Sequence, residues 1–361
     1  MMNIAIIIPT LMSGGAEKQS LYLAKELSKK YNVYLIVLKK HMIEQKLLNI
    51  IENTNVNKVF LSGNLIKNMI NIYSVFKSKN IQFIFSYLAS ANFINSVVGF
   101  TARVPSRIGG IRNAVLSKKK LKYERFFHNY LLTGTISNSN SAMELLSKQG
   151  FKEEKFHVIH NAFNLQTDKI IRDENKIVKI LSVSRFVEQK DYMTALETIS
   201  ILKQNIYDTI QFKYIIVGYG KLEEEIRKRI ESLNISCCVE VVVNPDNINE
   251  YYQDSDIFFM TSLFEGMSNS VMEALSYSLP VVATPVGDTK YLVKHGENGF
   301  LCEPKNSENM ASRLKTLVLE YELRNIMSNR SYEILSKDFT LNKFRQEYME
   351  YIEMRNTKDK F

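Results

Sequence analysis

Cysteine is scarce in this chain. Cys237, Cys238 and Cys302 are the only three, two of them adjacent. That excludes a disulfide framework and any zinc-ligand spacing, and it implies a reducing cytoplasm. Proline (6 residues) and glycine (14) are sparse, with no low-complexity segment or internal repeat, so the chain should be folded throughout. A secretory leader is lacking: Met1-Met2-Asn3-Ile4-Ala5-Ile6-Ile7-Ile8-Pro9 has no basic start and no small-residue cleavage site, and it reads as a first β-strand. Charge is missing from Asn80 to Ala102, long enough to cross a bilayer. Gln82, Ser86, Ser90, Asn92, Asn95 and Ser96 are nevertheless spread through it, and each would be costly in lipid. The stretch is expected to form a buried strand, Ile81–Phe85, followed by a largely buried helix.

Charge is present but unevenly shared. Residues 1–170 hold 23 Lys+Arg against 9 Asp+Glu, a net of +14, while residues 171–361 hold 24 against 29, a net of −5. The densest cluster, Lys118-Lys119-Lys120-Leu121-Lys122-Tyr123-Glu124-Arg125-Phe126-Phe127, mixes cations with aromatics. Two meanings stand open for it. It is a solvated helix face, or a patch resting on anionic lipid headgroups, where each cation contributes about 1 kcal/mol. Nucleic acid is not an expected partner, because no helix-turn-helix, zinc or RNA-recognition signature accompanies the charge.

The 361 residues, 45% of them hydrophobic, suffice for two domains with separate cores. Apolar runs of strand type alternate with amphipathic helical stretches along the first half, from Asn3–Pro9 to the helix Ser139–Gln149. The pattern restarts at Ile177–Val183. Regular alternation of this kind means parallel, doubly wound sheets. The polar stretch 165–175 reads as the linker. His157 and His160 stand three apart, but no third partner is spaced for a metal, and a structural role is expected.

The most informative stretch is Glu265-Gly266-Met267-Ser268-Asn269-Ser270-Val271-Met272-Glu273-Ala274-Leu275. It lies between two short apolar runs, Asp256–Met260 and Pro280–Ala283, and so reads as the loop and helix of a βαβ unit. Its carboxylates then sit near the C-terminal edge of a parallel sheet, where open α/β sheets bind ligands. The helix start would offer free N–H groups to an anion. Ser270-x-x-Glu273 also fits a capping box, in which Glu273 would touch no ligand. After the first strand, Gly14-Gly15 lets a backbone approach a phosphate, although no G-x-G-x-x-G is present.

The Glu-x7-Glu stretch resembles the signature of retaining glycosyltransferases of the family-4 type, which have the GT-B fold: two doubly wound, Rossmann-like domains with a cleft between them. The resemblance implies that Glu273 hydrogen-bonds the ribose of a nucleotide-sugar donor and that Glu265 lies against the donor sugar. It further implies that Arg185 and Lys190 bind the donor's diphosphate and stabilise the charge developing on it. Gly218 and Gly220 would leave room for the nucleotide, and Asn269, Ser270 and Val271 would offer backbone amides. The turn at Asn244-Pro245 would face the base. Gly14 and Gly15, within a GGAE sequence, are similar to the family's N-terminal glycine loop. Val158-Ile159-His160-Asn161 resembles its "VIxN" strand end. The implied boundaries are 1–165 for an acceptor-binding domain, 176–337 for a donor-binding domain, and 338–361 for a helix crossing back to the first.

Many relatives carry a histidine on the N-terminal domain that contacts the donor sugar. None is placed here, and no base is named. Arg112, in the Arg112-Asn113 loop, stands as a phosphate or acceptor contact or as a surface residue. Lys118, Lys119, Lys120 and Lys122 stand as acceptor or membrane contacts. No cofactor and no essential metal are expected, since Arg185 and Lys190 would do the work of a divalent ion. The expectation is a cytoplasmic, membrane-peripheral enzyme moving a hexose or N-acetylhexosamine from a UDP-sugar to a lipid-linked or glycan acceptor. The alternatives are a nucleotide-sugar epimerase or phosphorylase on the same fold, and a non-catalytic partner of another transferase.

Overall fold

A computed structural model describes residues 1–12, 14–112, 116–165, 168–174 and 177–358. The chain divides into two compact units: residues 1–162 with 341–361, and residues 163–340.

Among the described residues, the first unit holds seven parallel strands: β1 (Asn3–Ile8), β2 (Asn32–Val37), β3 (Asn57–Phe60), β4 (Phe83–Ser86), β5 (Ser106–Ile111), β6 (Gly134–Ser137) and β7 (Phe156–Val158). Their order is β3-β2-β1-β4-β5-β6-β7. The strand β1 shows why its sequence is apolar throughout. Ile4, Ile6 and Ile8 face one core, while Ala5 and Ile7 face a second core on the other side of the sheet. A parallel strand covered on both faces has no polar side to display. The last helix, Leu341–Lys358, belongs to this unit and closes the first of those cores with Phe344, Tyr348, Tyr351 and Ile352. Tyr348 packs edge-on against Phe85 at 5.4 Å.

The charge-free stretch 80–102 lies inside this unit as β4, the helix Ala89–Ile94 and a wider turn, Asn95–Gly99. Several of its polar side chains are bonded internally, while Asn95 Oδ1 and Ser96 Oγ are buried without a partner among the described residues. Asn92 Nδ2 donates to the Gly110 carbonyl at 3.2 Å, and Asn95 Nδ2 donates to Ser86 Oγ at 3.0 Å and to the Ile108 carbonyl at 3.0 Å. Among the described residues, no helix is long and apolar enough to cross a membrane.

The second unit holds six parallel strands: β8 (Ile177–Val183), β9 (Gln211–Gly218), β10 (Val239–Val243), β11 (Ile257–Met260), β12 (Val281–Ala283) and β13 (Gly299–Leu301), in the order β10-β9-β8-β11-β12-β13. Neighbouring residues again face opposite cores: Ile257 and Phe259 one, Phe258 and Met260 the other. Strand order reverses beside β8, which places a topological switch point between β8 and β11.

The divisions fall at Ala162/Phe163 and Thr340/Leu341, near but not at the expected 165 and 338. Phe163 N–H donates to the Phe339 carbonyl at 2.8 Å, so both strands of the crossing are tied to the second unit. The stretch read as a polar linker is also anchored there. Arg172 is pinned by the carbonyls of Ser255 (2.6 Å), Tyr277 (2.8 Å) and Ser278 (3.2 Å). Gln166, Thr167 and Asn175 of that stretch lie outside the described residues.

Candidate functional site

The carboxyl ends of β8 and β11 carry two loops that are strapped together. Gln189 Nε2 donates to the Phe264 carbonyl at 2.7 Å, and Leu263 N–H donates to the Gln189 carbonyl at 2.8 Å. Thr261, the first residue past β11, donates its hydroxyl to the carbonyls of Lys190 (2.9 Å) and Asp191 (3.0 Å). Asp191 is left-handed at φ 48° and caps the helix Tyr192–Ile206, accepting from Thr194 Oγ1 at 2.8 Å. The backbone on either side of the Lys190 side chain is thereby fixed.

Lys190 Nζ meets Glu265 Oε1 at 2.5 Å, and both side chains are mostly buried, 13% and 10% exposed. Arg185, on the same loop, is exposed, and its guanidinium finds no partner among the described residues. The loop at the carboxyl end of β8 thus carries one cation neutralised by a carboxylate and one that has no partner among the described residues, at the edge where open α/β sheets bind ligands. A bidentate guanidinium and a compact ammonium suit a diphosphate.

Glu273 lies on that helix, and the capping-box alternative does not hold. The N-cap is Ser268, whose Oγ accepts from Val271 N–H at 3.5 Å. Glu273 therefore stands two residues past the capping-box position, and it accepts the Tyr252 hydroxyl at 3.0 Å. Tyr252 is buried against Tyr277 (5.6 Å, nearly parallel) and Phe258 (5.9 Å), and burial, with the Glu273 charge beside it, drives its hydroxyl well above the usual phenol range. Tyr252 stays a donor at any physiological pH. Asn269 and Ser270 stand in the first turn, where helix N–H groups lack intrahelical partners. Val271 N–H, by contrast, is taken by the cap.

The two glycines of the second unit's turn have a packing role. A methyl at Gly218 would run into the Ser184 carbonyl, and one at Gly220 (φ 151°) into the Phe186 backbone. Phe186 N–H donates to the Tyr219 carbonyl at 2.7 Å. Close approach of this turn to the Ser184–Phe186 loop is what requires glycine, so the pair positions Arg185. Asn244, left-handed at φ 46°, donates its N–H to the Gly218 carbonyl at 3.2 Å and so ties the same corner.

In the first unit, Gly14 is the N-cap of the helix Gly15–Leu27 and Gly15 its first residue. The room beside Gly14 is filled by the Glu17 carboxylate, which accepts from Thr10 Oγ1 at 3.2 Å and is raised in pKa chiefly by burial. Ser13 lies outside the described residues. Arg112 follows β5 at the sheet's carboxyl edge, but its charge is engaged internally. The guanidinium stacks on Tyr87 at 4.6 Å and donates from Nη1 to Asn161 Oδ1 at 2.7 Å. Asn113 lies outside the described residues. Lys118, Lys119, Lys120 and Lys122 are all exposed on the helix Lys118–Phe126. His157 packs on Tyr351 at 4.9 Å, and His160 stands 3.4 Å from Asn140 Nδ2.

Sequence reasoning missed several of these groups. Tyr252, Thr261 and Gln189 hold the site residues in place, and only the aromatic doublet Tyr251-Tyr252 in a short polar helix hinted at the first. The chain also contains one Asp-x-Asp, Asp254-Ser255-Asp256, that was passed over. It lies at the opposite, amino end of β11. Asp256 accepts from Lys179 N–H at 2.8 Å and Asp254 pairs with Lys179 Nζ at 2.5 Å, so both carboxylates serve the strand edge.

Comparison with known proteins adds to this geometry. Residues 165–334 match the family described as glycosyl transferases group 1. An uncharacterized glycosyltransferase of Haemophilus influenzae is 31% identical over 202 residues, 54% of this chain and 56% of that protein. The chain thus spans little more than half the length of that relative. A Campylobacter jejuni N-acetylgalactosaminyltransferase, named for an acceptor carried on diphospho-undecaprenol, is 23% identical over 99% of this chain and 100% of its own. Anabaena HepE, solved in complex with UDP-glucose, superposes with a TM-score of 0.82 at 19% identity, covering 98% of this chain and 100% of its own. The fold is GT-B.

Proposed function

From the match of residues 165–334 to the glycosyl transferases group 1 family, we propose that this protein is a retaining glycosyltransferase. It moves a hexose or N-acetylhexosamine from a UDP-sugar to a lipid-linked or glycan acceptor in surface polysaccharide or glycolipid synthesis. The observation that carries the proposal is the Lys190–Glu265 pair at the switch point of the second unit, on the loop of Arg185, whose guanidinium has no partner among the described residues. The named activity of the Campylobacter relative and the UDP-glucose complex of HepE support the choice of donor and acceptor class.

In the proposed reaction the bond between the sugar C1 and the diphosphate oxygen breaks, and its electron pair leaves with the diphosphate. Arg185 and Lys190 stabilise the charge that appears there, assisted by the N–H groups of Asn269 and Ser270. Lys190 is pre-aimed by its bond to Glu265, so little reorganisation is needed when the diphosphate arrives. The acceptor hydroxyl attacks C1 from the face the leaving group vacates, and its proton passes to the leaving phosphate oxygen. No protein base is then required, and configuration is retained. Glu273, held by Tyr252, accepts hydrogen bonds from the ribose hydroxyls. The acceptor falls to the basic first unit, which rests on the cytoplasmic face of the membrane through Lys118–Lys122.

The test is transfer from labelled UDP-sugars by the purified protein, with anomeric configuration read by NMR and EDTA present in a parallel set. Retained configuration, activity that survives EDTA, and loss of transfer in R185A/K190A are expected. Unchanged transfer by R185A/K190A would overturn the assignment.

A further inference from the structure

A cavity of about 720 Å³ opens beside the basic helix of the first unit, walled by Phe93, Tyr123, Phe126 and Phe127 and flanked by Lys120 and Lys122. Its walls are almost wholly apolar, and two of the aromatics stand unusually exposed: Tyr123 at 56% and Phe126 at 51%. Leaving such surface in water costs roughly 25 cal/mol per Å². A merely solvated helix face would have no reason to carry it.

The chemistry on the rim and in the wall selects the occupant. Two exposed ammonium groups at the mouth call for an anion, and an aromatic chamber behind them calls for hydrocarbon. Glu124, the acidic side chain on the wall, is buried and accepts from Asn92 Nδ2 at 3.0 Å; its charge is felt by Lys120, but burial favours its neutral form, so it opposes an anion there only in part. A bilayer surface would meet a convex face. A concave chamber instead takes one chain of one molecule.

We propose that this pocket is a binding site for a single lipid phosphate withdrawn from the bilayer, its hydrocarbon chain between Phe93 and Phe126–Phe127 and its phosphate on Lys120 and Lys122. The inference rests on the lipid-linked half of the functional reading and names where the lipid part of that acceptor is held. It does not depend on the donor site of the second unit.

The test is calorimetric titration of the full chain with farnesyl phosphate, with inorganic phosphate, farnesol and phosphatidylglycerol vesicles as separate arms, and with UDP titrated in parallel. Farnesyl phosphate is expected to bind with inorganic phosphate silent at the same concentration. Ser90→Trp, which places an indole in the pocket from the exposed face of the helix Ala89–Ile94, is expected to weaken farnesyl phosphate by more than about tenfold and to leave UDP binding intact. K120E/K122E should weaken it comparably, with no change in melting temperature. Farnesyl phosphate binding that is indifferent to Ser90→Trp would overturn the proposal, as would binding to vesicles with none to the monomeric lipid. Loss of UDP binding alone would count against the donor site and leave the pocket standing.

Discussion

Arg112 and Arg185 each follow a strand at the carboxyl edge of a parallel sheet, one in each unit, and their fates differ. Arg112 is stacked on Tyr87 and bonded to Asn161, so its charge is spent within the fold. Arg185 sits exposed on a loop that two glycines hold in place and finds no partner among the described residues. The same residue type at the carboxyl edge of a sheet is structural where aromatic and amide partners surround it. In the proposed reaction it acts on a ligand where the backbone is braced and the head is left open.

The largest expected effect comes from removing the open charges. R185A/K190A should lower transfer by about 10³-fold or more, because groups aimed at developing charge in a water-poor site are typically worth 10²- to 10³-fold each. R112A should leave transfer within a few-fold of the wild type, read in the same assay. Next in size, Glu273→Ala should weaken nucleotide binding by roughly ten- to a hundred-fold, the loss of hydrogen bonds to a charged acceptor at about 1.5–3 kcal/mol. Tyr252→Phe should produce a smaller shift in the same direction, seen in KM more than in kcat.

The stability side of the comparison is expected to be smaller. R112A removes a bond to Asn161 and uncovers Tyr87, and should cost about 1–3 kcal/mol in denaturant unfolding. Gly218→Ala should cost a similar amount and also disturb nucleotide binding, since it presses on the loop that carries Arg185.

Two buried titratable groups of the first unit give the finest test, because their slopes oppose one another. Burial pushes the Glu124 carboxyl up to about 7. Its contribution is therefore full below its unfolded pKa of about 4.3 and is lost as pH rises through 7. Burial pushes His128 down to about 4, its ring held by Thr135 Oγ1 and the Lys152 carbonyl, each at 2.8 Å. Its contribution is full above about 6.5 and is lost as pH falls through 4. Because the two windows overlap, the slopes largely cancel in the wild type between about pH 4.5 and 6.5; in denaturant unfolding E124Q should become more stable as pH rises through that range, and H128N less stable.

The two units also differ in how far they could be read without a structure. Alternating apolar runs announced both parallel sheets, because strands covered on both faces leave no polar residues to blur the signal. Lys190 and Glu265 could be singled out through the family resemblance that the Glu-x7-Glu stretch carries. Tyr252 and Thr261 could not, since what matters is a contact across 21 residues to Glu273 in one case and 71 residues to Lys190 in the other. Gly218 and Gly220 were legible as a turn, while their purpose depended on which backbone lies above them. The aromatic pocket was hidden for a related reason. Phe93 lies on one helical stretch and Phe126 on another, and only the tertiary packing makes a chamber of them.

The most direct measurement is equilibrium binding of UDP and UDP-sugars, with EDTA present, to the wild type, R112A, K190A and Glu273→Ala. The account predicts binding that survives EDTA, is unchanged in R112A, and is weakened at least about tenfold in K190A and Glu273→Ala. No binding by any nucleoside diphosphate, or equal binding by all four proteins, would contradict it.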